Sequence, residues 1–271
     1  MKLNANQIIA KTKQIRIDTI KMVFSAEASH VGSALSCVDI LASLYFGILN
    51  INPRRPRSKD RDKLILSKGH AGVGLLATLA HRGFFSVSEL KNYCQDGSKL
   101  TGHTMLESAP GVEATTGSLG HGLAIGLGMA LVGKREGSNS KVFVILSDGE
   151  LDEGSNWEAI LAAGNFRLDN LIAVVDYNKI QSFGRVKNVM DLEPLSKKWA
   201  DFKWATREID GHNIEELLKT FKKVPFKKGW PSCIICHTVK GKGVSFMEDK
   251  LEWHYKSPNE DQLNLAIKEM K

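Results

Sequence analysis

Two stretches of almost uninterrupted apolar residues predict a pair of buried strands. Residues 141–147 and 170–176 are short and rich in β-branched side chains. Neither stretch alternates polar with apolar positions, which is typical of parallel strands that are covered on both faces. The Ala- and Leu-rich stretch 156–166 between them predicts a helix. The order strand, helix, strand therefore predicts a βαβ unit with parallel strands.

The same pattern extends to both ends of the chain. Apolar runs at 63–67 and 232–238 predict two more buried strands. Apolar side chains recur near helical spacing between Ile8 and Val23 and predict an amphipathic N-terminal helix. The polar stretch 259–271 predicts a terminal helix. We therefore expect an α/β fold, a doubly wound and mostly parallel sheet with helices on both faces.

Polar residues follow the first two predicted strands. Asp148 comes directly after one strand, and Asn178 lies just past the next. Neighbouring parallel strands bring their carboxyl ends together, where ligands bind in open α/β sheets. A carboxylate and an amide oxygen suit Mg²⁺ or Ca²⁺, and Mg²⁺ completes its coordination with phosphate and water. Asp-Gly and Asn-Lys are also common in ordinary turns, so the spacing alone leaves both interpretations open.

The composition is that of an ordinary globular protein. The 271 residues are 42% hydrophobic, which is enough for one large α/β domain with a substantial core. No apolar run is long enough to span a bilayer. The first residues do not resemble a signal peptide, so we expect a cytoplasmic protein with reduced cysteines.

The formal net charge of +7 has several possible explanations. A basic surface can indicate nucleic-acid binding. The lysines are dispersed, however, and no nucleic-acid motif is present, so we expect neither a nucleic-acid nor a membrane partner. A phosphorylated substrate or an acidic protein partner would account for the charge equally well.

Cys233, Cys236 and His237 match the spacing of covalent haem attachment. The run that contains them is β-branched and apolar, which favours a buried strand instead. Cysteines three positions apart on a strand point to opposite faces. We therefore interpret both as buried, reduced thiols.

Several of the eight histidines lie beside Gly or Ser in predicted loops. The four of interest are His30, His70, His103 and His254. Each taken alone is most simply a hydrogen-bonded loop residue. Imidazole is also well matched to proton transfer near neutral pH, so a group of them would suit acid–base chemistry.

Seven short motifs, in order along the chain, resemble the transketolase family. They cover roughly residues 10 to 258, and together they are far more specific than any one of them. They are Ser67-Lys68-Gly69-His70-Ala71, Gly102-His103, Thr115-Thr116-Gly117-Ser118-Leu119-Gly120-His121-Gly122, Asp148-Gly149-Glu150-Leu151-Asp152-Glu153-Gly154, Asp176-Tyr177-Asn178-Lys179-Ile180, Thr238-Val239-Lys240-Gly241-Lys242-Gly243 and Trp253-His254.

The resemblance implies thiamine diphosphate as cofactor, with Mg²⁺ as the metal and Ca²⁺ or Mn²⁺ as substitutes. The metal ligands would be Asp148, the Asn178 side chain and the Ile180 carbonyl. The catalytic residues would be His30, His103 and His254. The residues implied to contact the cofactor are Ser33, His70, Gly117, Ser118, Leu119, Asp148, Gly149, Glu150, Asn178, Lys240 and His254.

The resemblance also implies what a partner must supply. In this family a glutamate from a pyrimidine-binding domain activates the cofactor across a subunit interface, and that domain follows the region seen here. We therefore expect residues 1–271 to form the diphosphate-binding subunit of a split transketolase. The partner would carry the pyrimidine-binding and C-terminal domains in an α₂β₂ assembly. Glu153 would lie at an interface that connects two active sites.

The expected reaction is transfer of a two-carbon ketol unit from a ketose, or its phosphate, to an aldose. Transfer onto an unusual sugar, decarboxylative transfer from pyruvate and a non-catalytic scaffold stay open as alternatives. The choice between pentose phosphate metabolism and a specialised sugar pathway also stays open. Three positions depart from the family pattern, namely Val31, Ser147 and Tyr255. Tyr255 replaces the usual Gly after His254 and is expected to crowd the substrate entrance.

Overall fold

The computed structural model describes residues 2–271 and contains one five-stranded sheet. Its strands are β1 (Lys63–Leu66), β2 (Val142–Ser147), β3 (Leu171–Tyr177), β4 (Ala205–Asp210) and β5 (Ser232–His237). Their order across the sheet is β1-β2-β3-β5-β4, and every neighbouring pair is parallel. The predicted strands are confirmed to within a residue at each end.

Ten α-helices surround the sheet in the described residues. They are α1 (Ala5–Ser25), α2 (Val31–Ser36), α3 (Val38–Ala42), α4 (Gly72–Arg82), α5 (Gly122–Arg135), α6 (Gly154–Asn165), α7 (Val186–Val189), α8 (Leu195–Asp201), α9 (Ile214–Phe221) and α10 (Glu260–Met270). A π-helical turn at Ser43–Ile48 follows α3. Short 3₁₀ turns lie at Gly69–Ala71, Val87–Asn92, Gly149–Asp152 and Leu251–His254.

Capping residues explain where the first and last helices begin. Asn4 and Asn259 precede α1 and α10, and each side chain accepts a hydrogen bond from the backbone N–H of Gln7 or Gln262. The glutamine side chain accepts a bond from the asparagine N–H in return, which completes a capping box. The predicted N-terminal and C-terminal helices are therefore confirmed, and both have local sequence signals.

Two apolar clusters lie on opposite faces of the sheet. Alternate residues of the central strands divide between them, as Phe143 and Ile145 pack on one side while Val144 and Leu146 pack on the other. All residues of β2 and β3 are buried. The predicted α/β fold with helices on both faces is confirmed.

The cysteine interpretation is confirmed by the same division. Cys233 belongs to one apolar cluster and Cys236 to the other, and both are fully buried. Burial raises the pKa of each thiol well above its ordinary value. Opposite faces of a strand cannot present both sulfurs to one haem, so the motif has a structural role here.

Candidate active site

The carboxyl ends of four neighbouring strands meet at one edge of the sheet. The segments that leave β1, β2, β3 and β5 are residues 67–70, 148–150, 178–180 and 238–240. They border a cavity of about 460 Å³. Parallel pairing alone brings these segments together, because each strand in the order β1-β2-β3-β5 runs in the same direction. The cavity is the candidate active site.

Most of the residues named from the sequence line this cavity. They are His30, Ser33, His70, His103, Gly117, Leu119, Asp148, Gly149, Asn178, Ile180, Lys240 and His254. Ser118 and Glu150 are not among the lining residues. Sequence reasoning passed over Lys68, Ser147, Asp152, Gln181, Ser182, Phe183 and Val189, and did not place Glu153 here. Lys68 could have been found, because it lies inside the motif that supplied His70.

The Glu150 side chain turns into the protein instead. It is fully buried and accepts hydrogen bonds from the Ser67 hydroxyl and from the backbone N–H groups of Gly120 and Ser147. These contacts join the loops that follow β1 and β2 to the glycine-rich loop before α5. Burial raises its pKa, although the three hydrogen bonds act in the opposite direction. Its geometry fits a role in shaping the site.

Asp148 is a buried carboxylate whose charge is not neutralised by the protein. It is only 1% exposed, and it accepts hydrogen bonds from the backbone N–H groups of Gly149 (2.7 Å) and Lys179 (2.6 Å). Within residues 2–271 no lysine, arginine or histidine forms an ion pair with it. Burial, followed by the neighbouring Asp176 carboxylate, raises its pKa to about 6.

Asn178 and Ile180 lie opposite Asp148 on the loop after β3. The Asn178 Oδ1 atom accepts from the Ile180 N–H (3.1 Å), and its Nδ2 donates to the Ser36 hydroxyl (3.4 Å). The Ile180 carbonyl accepts a 3.1 Å hydrogen bond from Lys240 Nζ. The Ile180 carbonyl oxygen therefore already contacts a cationic group of the protein.

These donors fit Mg²⁺. An unneutralised buried carboxylate, a side-chain amide and a backbone carbonyl are hard oxygen ligands, and Mg²⁺ needs only a few of them when phosphate is present. In residues 2–271, no group of three or more His, Cys, Asp or Glu side chains is arranged to hold a metal. Beyond Asp148, Asn178 and the Ile180 carbonyl, a metal here would therefore depend on non-protein ligands to complete its shell.

A buried ion pair lies beside this position. The Lys68 ammonium contacts the Asp176 carboxylate directly, and both side chains are fully buried. Asp176 also accepts from the Ser36 and Thr238 hydroxyls, while Lys68 donates to the Ser33 carbonyl at 3.0 Å. Burial would raise the Asp176 pKa, but Lys68 and these hydrogen bonds lower it overall. The pair fixes the Lys68 charge at the wall of the cavity.

Four imidazoles form a cluster on the other side of the cavity. The His30 ring centroid lies 5.4 Å from that of His70, 5.7 Å from His103 and 4.9 Å from His254. His254 Nδ1 lies 2.9 Å from Lys240 Nζ. Because an ammonium can only donate, Nδ1 accepts, and the proton of a neutral His254 ring must lie on Nε2.

Burial and nearby lysines keep the His30, His70 and His254 rings neutral. Desolvation, followed by the charges of His103, Lys240 and Lys68, lowers the His30 pKa to about 4. Desolvation, followed by Lys240, lowers the His254 pKa to about 3. The His70 pKa also falls well below its ordinary value, with burial again the largest cause. Neutral imidazoles can both donate and accept protons.

Two backbone features fix the shape of the cavity. His30 has a φ of 72°, an uncommon left-handed conformation, and its N–H donates to the His254 carbonyl at 2.9 Å. Gly117 has a φ of 140°, and a Cβ atom there would lie 2.9 Å from the His103 ring. Both positions bring backbone against a histidine that faces the cavity, where strained residues are often functional.

A larger cavity of about 900 Å³ lies elsewhere, between residues 92–100 and 106–113. Its Arg61 side chain is already paired with Glu113. No histidine of residues 2–271 lines it. Size therefore does not identify the active site in this molecule, whereas the convergence of strand ends, buried charge and imidazoles does.

No helix in residues 2–271 has the length and apolar character needed to cross a membrane.

Comparison with known proteins identifies the family of this chain. Residues 6–270 match the family model described as transketolase, thiamine diphosphate binding domain. An apulose-4-phosphate transketolase chain of Actinobacillus succinogenes, named as one subunit of that enzyme, is 41% identical over 270 residues, which cover 99% of this chain and 98% of that protein. The 6-deoxy-6-sulfo-D-fructose transketolase subunit of a Clostridium species is 40% identical, over 94% of this chain and 93% of that protein.

Longer transketolases match over part of their length. The solved transketolase of Campylobacter jejuni has a TM-score of 0.91 and 30% identity, covering all of this chain and 43% of that one. Human transketolase is 36% identical over 95% of this chain and 41% of its own length. This chain thus spans about two fifths of those proteins. It belongs to the transketolase family and corresponds to its thiamine diphosphate binding domain.

Proposed function

We propose that this chain is the diphosphate-binding subunit of a two-chain transketolase. Together with its partner it would transfer a two-carbon ketol unit from a ketose, or its phosphate, to an aldose. The observation that carries the proposal is the cavity itself. It combines a buried carboxylate without an ion-pair partner, Asp148, with a histidine cluster whose His30 and His254 rings are neutral, across a space of about 460 Å³.

Asp148, Asn178 and the Ile180 carbonyl would hold Mg²⁺ and, through it, the diphosphate. Lys240 would add a point charge to the diphosphate. Burial, followed by Lys68, lowers its pKa to about 8, so it is still mostly protonated near neutral pH. Gly117, Leu119 and Gly149 line the cavity and would contact the cofactor, as would the Ser33 and His70 side chains.

Bound thiamine diphosphate supplies the carbanion chemistry of C–C cleavage, and the protein orients the reactants and moves protons. His30, His103 and His254 would exchange protons with substrate hydroxyl and carbonyl groups. The His30 and His254 rings are suited to this because each is neutral near pH 7. With Nδ1 engaged by Lys240, His254 has Nε2 available to donate to a substrate oxygen.

Residues 1–271 would form one domain, and a partner chain would carry the pyrimidine-binding and C-terminal domains. Two observations support this. Two relatives that match over nearly their whole length are named as transketolase subunits. The full-length transketolases continue well beyond the matching region. We propose an α₂β₂ assembly in which the partner supplies the activating glutamate and Glu153 lies at the interface.

Reconstitution tests the proposal directly. The purified chain is mixed with its partner, thiamine diphosphate and Mg²⁺, and ketol transfer is followed with ketose phosphates as donors. We expect the chain alone to be nearly inactive and the mixture to be active. Full activity of this chain without a partner would contradict the two-chain proposal.

The substrate is a second question, and the relatives favour an unusual sugar. Two of them are named for apulose 4-phosphate and for 6-deoxy-6-sulfo-D-fructose. Product analysis of the reconstituted enzyme with these donors, with common ketose phosphates and with pyruvate would separate specialised transfer, central pentose phosphate metabolism and decarboxylative transfer. A non-catalytic scaffold would show no cofactor binding in a calorimetric titration.

A further inference from the structure

The Ile180 carbonyl belongs to a small hairpin at the entrance of the cavity. Ile180 and Arg185 form an antiparallel bridge, and the Gln181 N–H donates to the Gly184 carbonyl at 2.8 Å to close the turn. The hairpin side chains of Gln181, Ser182 and Phe183 line the cavity. Phe183 is 82% exposed, so the hairpin tip has little packing of its own.

Two contacts join this hairpin to the segment that carries His254. The Tyr255 hydroxyl donates to the Ser182 carbonyl at 2.9 Å. Arg185 pairs with Asp249 through two hydrogen bonds of 2.5 and 2.6 Å. The first contact ends at the hairpin tip, and the second ends at its base.

The Tyr255 contact restrains the tip, and the ion pair does not. Arg185 and Asp249 are about half exposed and form a bidentate pair, but that pair acts at the base of the hairpin and not at Ser182 in the tip. The Tyr255 ring also packs against His254, with centroids 4.9 Å apart, so its hydroxyl is already directed by the ring. Glycine, which the family motif has at this position, could make neither contact.

We propose that Tyr255 is a positioning residue that fastens the Ile180–Arg185 hairpin to the His254 segment, so that the Ile180 carbonyl is in place before the cation and diphosphate bind. The proposal rests on the proposed function only for the identity of the ligand. The hydrogen bond from Tyr255 to Ser182 lies within this chain and does not depend on the ligand. The same bond holds Ser182 and Phe183 at the entrance and thereby narrows it.

Hydrogen exchange on the chain without cofactor tests the fastening. The Gln181 and Val186 amides both bond within the hairpin and report its opening. In Tyr255→Phe we expect them to exchange about three- to tenfold faster, the change expected for one lost hydrogen bond. Lys256→Gln is the matched control, because it removes the neighbouring exposed Lys256–Glu252 pair without touching the hairpin. Unchanged exchange in Tyr255→Phe would overturn the proposal.

A second readout separates this proposal from the proposed function. In the complex with the partner, Tyr255→Phe should weaken Mg²⁺-dependent binding of thiamine diphosphate about three- to tenfold while leaving kcat at saturating cofactor within about twofold. Tyr255→Gly should weaken it at least as much. If the Tyr255→Phe hairpin amides exchange faster but the wild-type complex binds no thiamine diphosphate, the role of the Tyr255 hydrogen bond is supported and the proposed function is refuted. A loss confined to kcat would refute the positioning role.

Discussion

Two aspartates at adjacent strand ends have opposite electrostatic environments. Asp176 ends its strand in a buried network with Lys68, Ser36 and Thr238, and its pKa is lowered. Asp148 follows the neighbouring strand, is equally buried and accepts hydrogen bonds only from backbone amides, and burial, followed by the Asp176 charge, raises its pKa to about 6. Both carboxylates lie at the same edge of the sheet, because Ser147 pairs with Asp176.

The difference separates a structural charge from a binding charge. A buried carboxylate is tolerated when a cation is built in beside it, as Lys68 is beside Asp176. Within residues 2–271 Asp148 forms no ion pair, and burial and Asp176 raise its pKa by more than the Lys68 charge lowers it, so a cation supplied by a ligand would be stabilising there. Mutations at the Lys68–Asp176 pair should therefore reduce the stability of the fold, whereas mutations at Asp148 should reduce cofactor binding.

Removing the built-in cation should have the largest effect. Lys68→Met leaves Asp176 buried without its partner, and we expect a loss of about 3–5 kcal/mol in the free energy of unfolding. Urea denaturation monitored by far-UV circular dichroism measures it. The double variant Lys68→Met/Asp176→Asn should recover much of the loss, because no charge is then left unpaired. A loss below about 1 kcal/mol in the single variant would show that the pair is not structural.

Removing the Asp148 carboxylate should mainly weaken binding of the cofactor. Asp148→Ala is expected to weaken Mg²⁺-dependent binding of thiamine diphosphate by about 100-fold or more, since a charged metal ligand is lost. Calorimetry on the complex with the partner measures the affinity. Asp152→Asn, a cavity carboxylate that is only partly buried, is the control and should change affinity little. Unchanged affinity in Asp148→Ala would contradict the metal assignment.

The sequence predicts where Asp148 and Asp176 lie more easily than it predicts what each carboxylate does. Continuous apolar runs identify β1, β2, β3 and β5, and parallel strand ends must then converge, which brings Asp148 near Asn178. The edge strand β4 has a mixed and half-exposed pattern, so no apolar run reveals it. The fold and most of the cavity are thus accessible from local patterns and motifs.

Local sequence patterns do not predict which residues pair with each buried carboxylate. Lys68 reaches Asp176 across 108 positions of sequence, and Ser36 reaches it across 140. Such pairings depend on how helices pack on the sheet, which no local pattern records. Glu150 shows the same limit, because the 3₁₀ turn at Gly149–Asp152 directs its side chain inward although the motif suggests cofactor contact.

Glu150 provides an intermediate case between the two aspartates. It is buried without a cation, but it accepts from Ser67, Gly120 and Ser147. Glu150→Gln keeps the size yet replaces one acceptor oxygen with a donor, so we expect a loss of about 1–2 kcal/mol in stability. Thermal denaturation of the chain without cofactor measures it. Cofactor affinity lost without any loss of stability would instead indicate direct contact with the ligand.

Titration of the histidine cluster should make stability depend on pH, and this is the smallest of the expected effects. The His30 pKa is about 4 in the folded chain, against an ordinary value of 6.5. Between these values the unfolded chain binds more protons, so the contribution of His30 to stability is complete above about pH 6.5 and is lost as the pH falls toward 4.

His30→Gln should remove that part of the acid sensitivity. Because the ring is partly solvated, we expect the stability lost between about pH 7.5 and 5.5 to shrink by less than about 1 kcal/mol. Urea denaturation at the two pH values measures the difference. His237→Gln is the control, since that ring is on the surface and pairs with Glu208 outside the cavity. Equal acid sensitivity in wild type and His30→Gln would show that the ring is not held neutral by burial, and its assigned role in accepting protons would lose its physical basis.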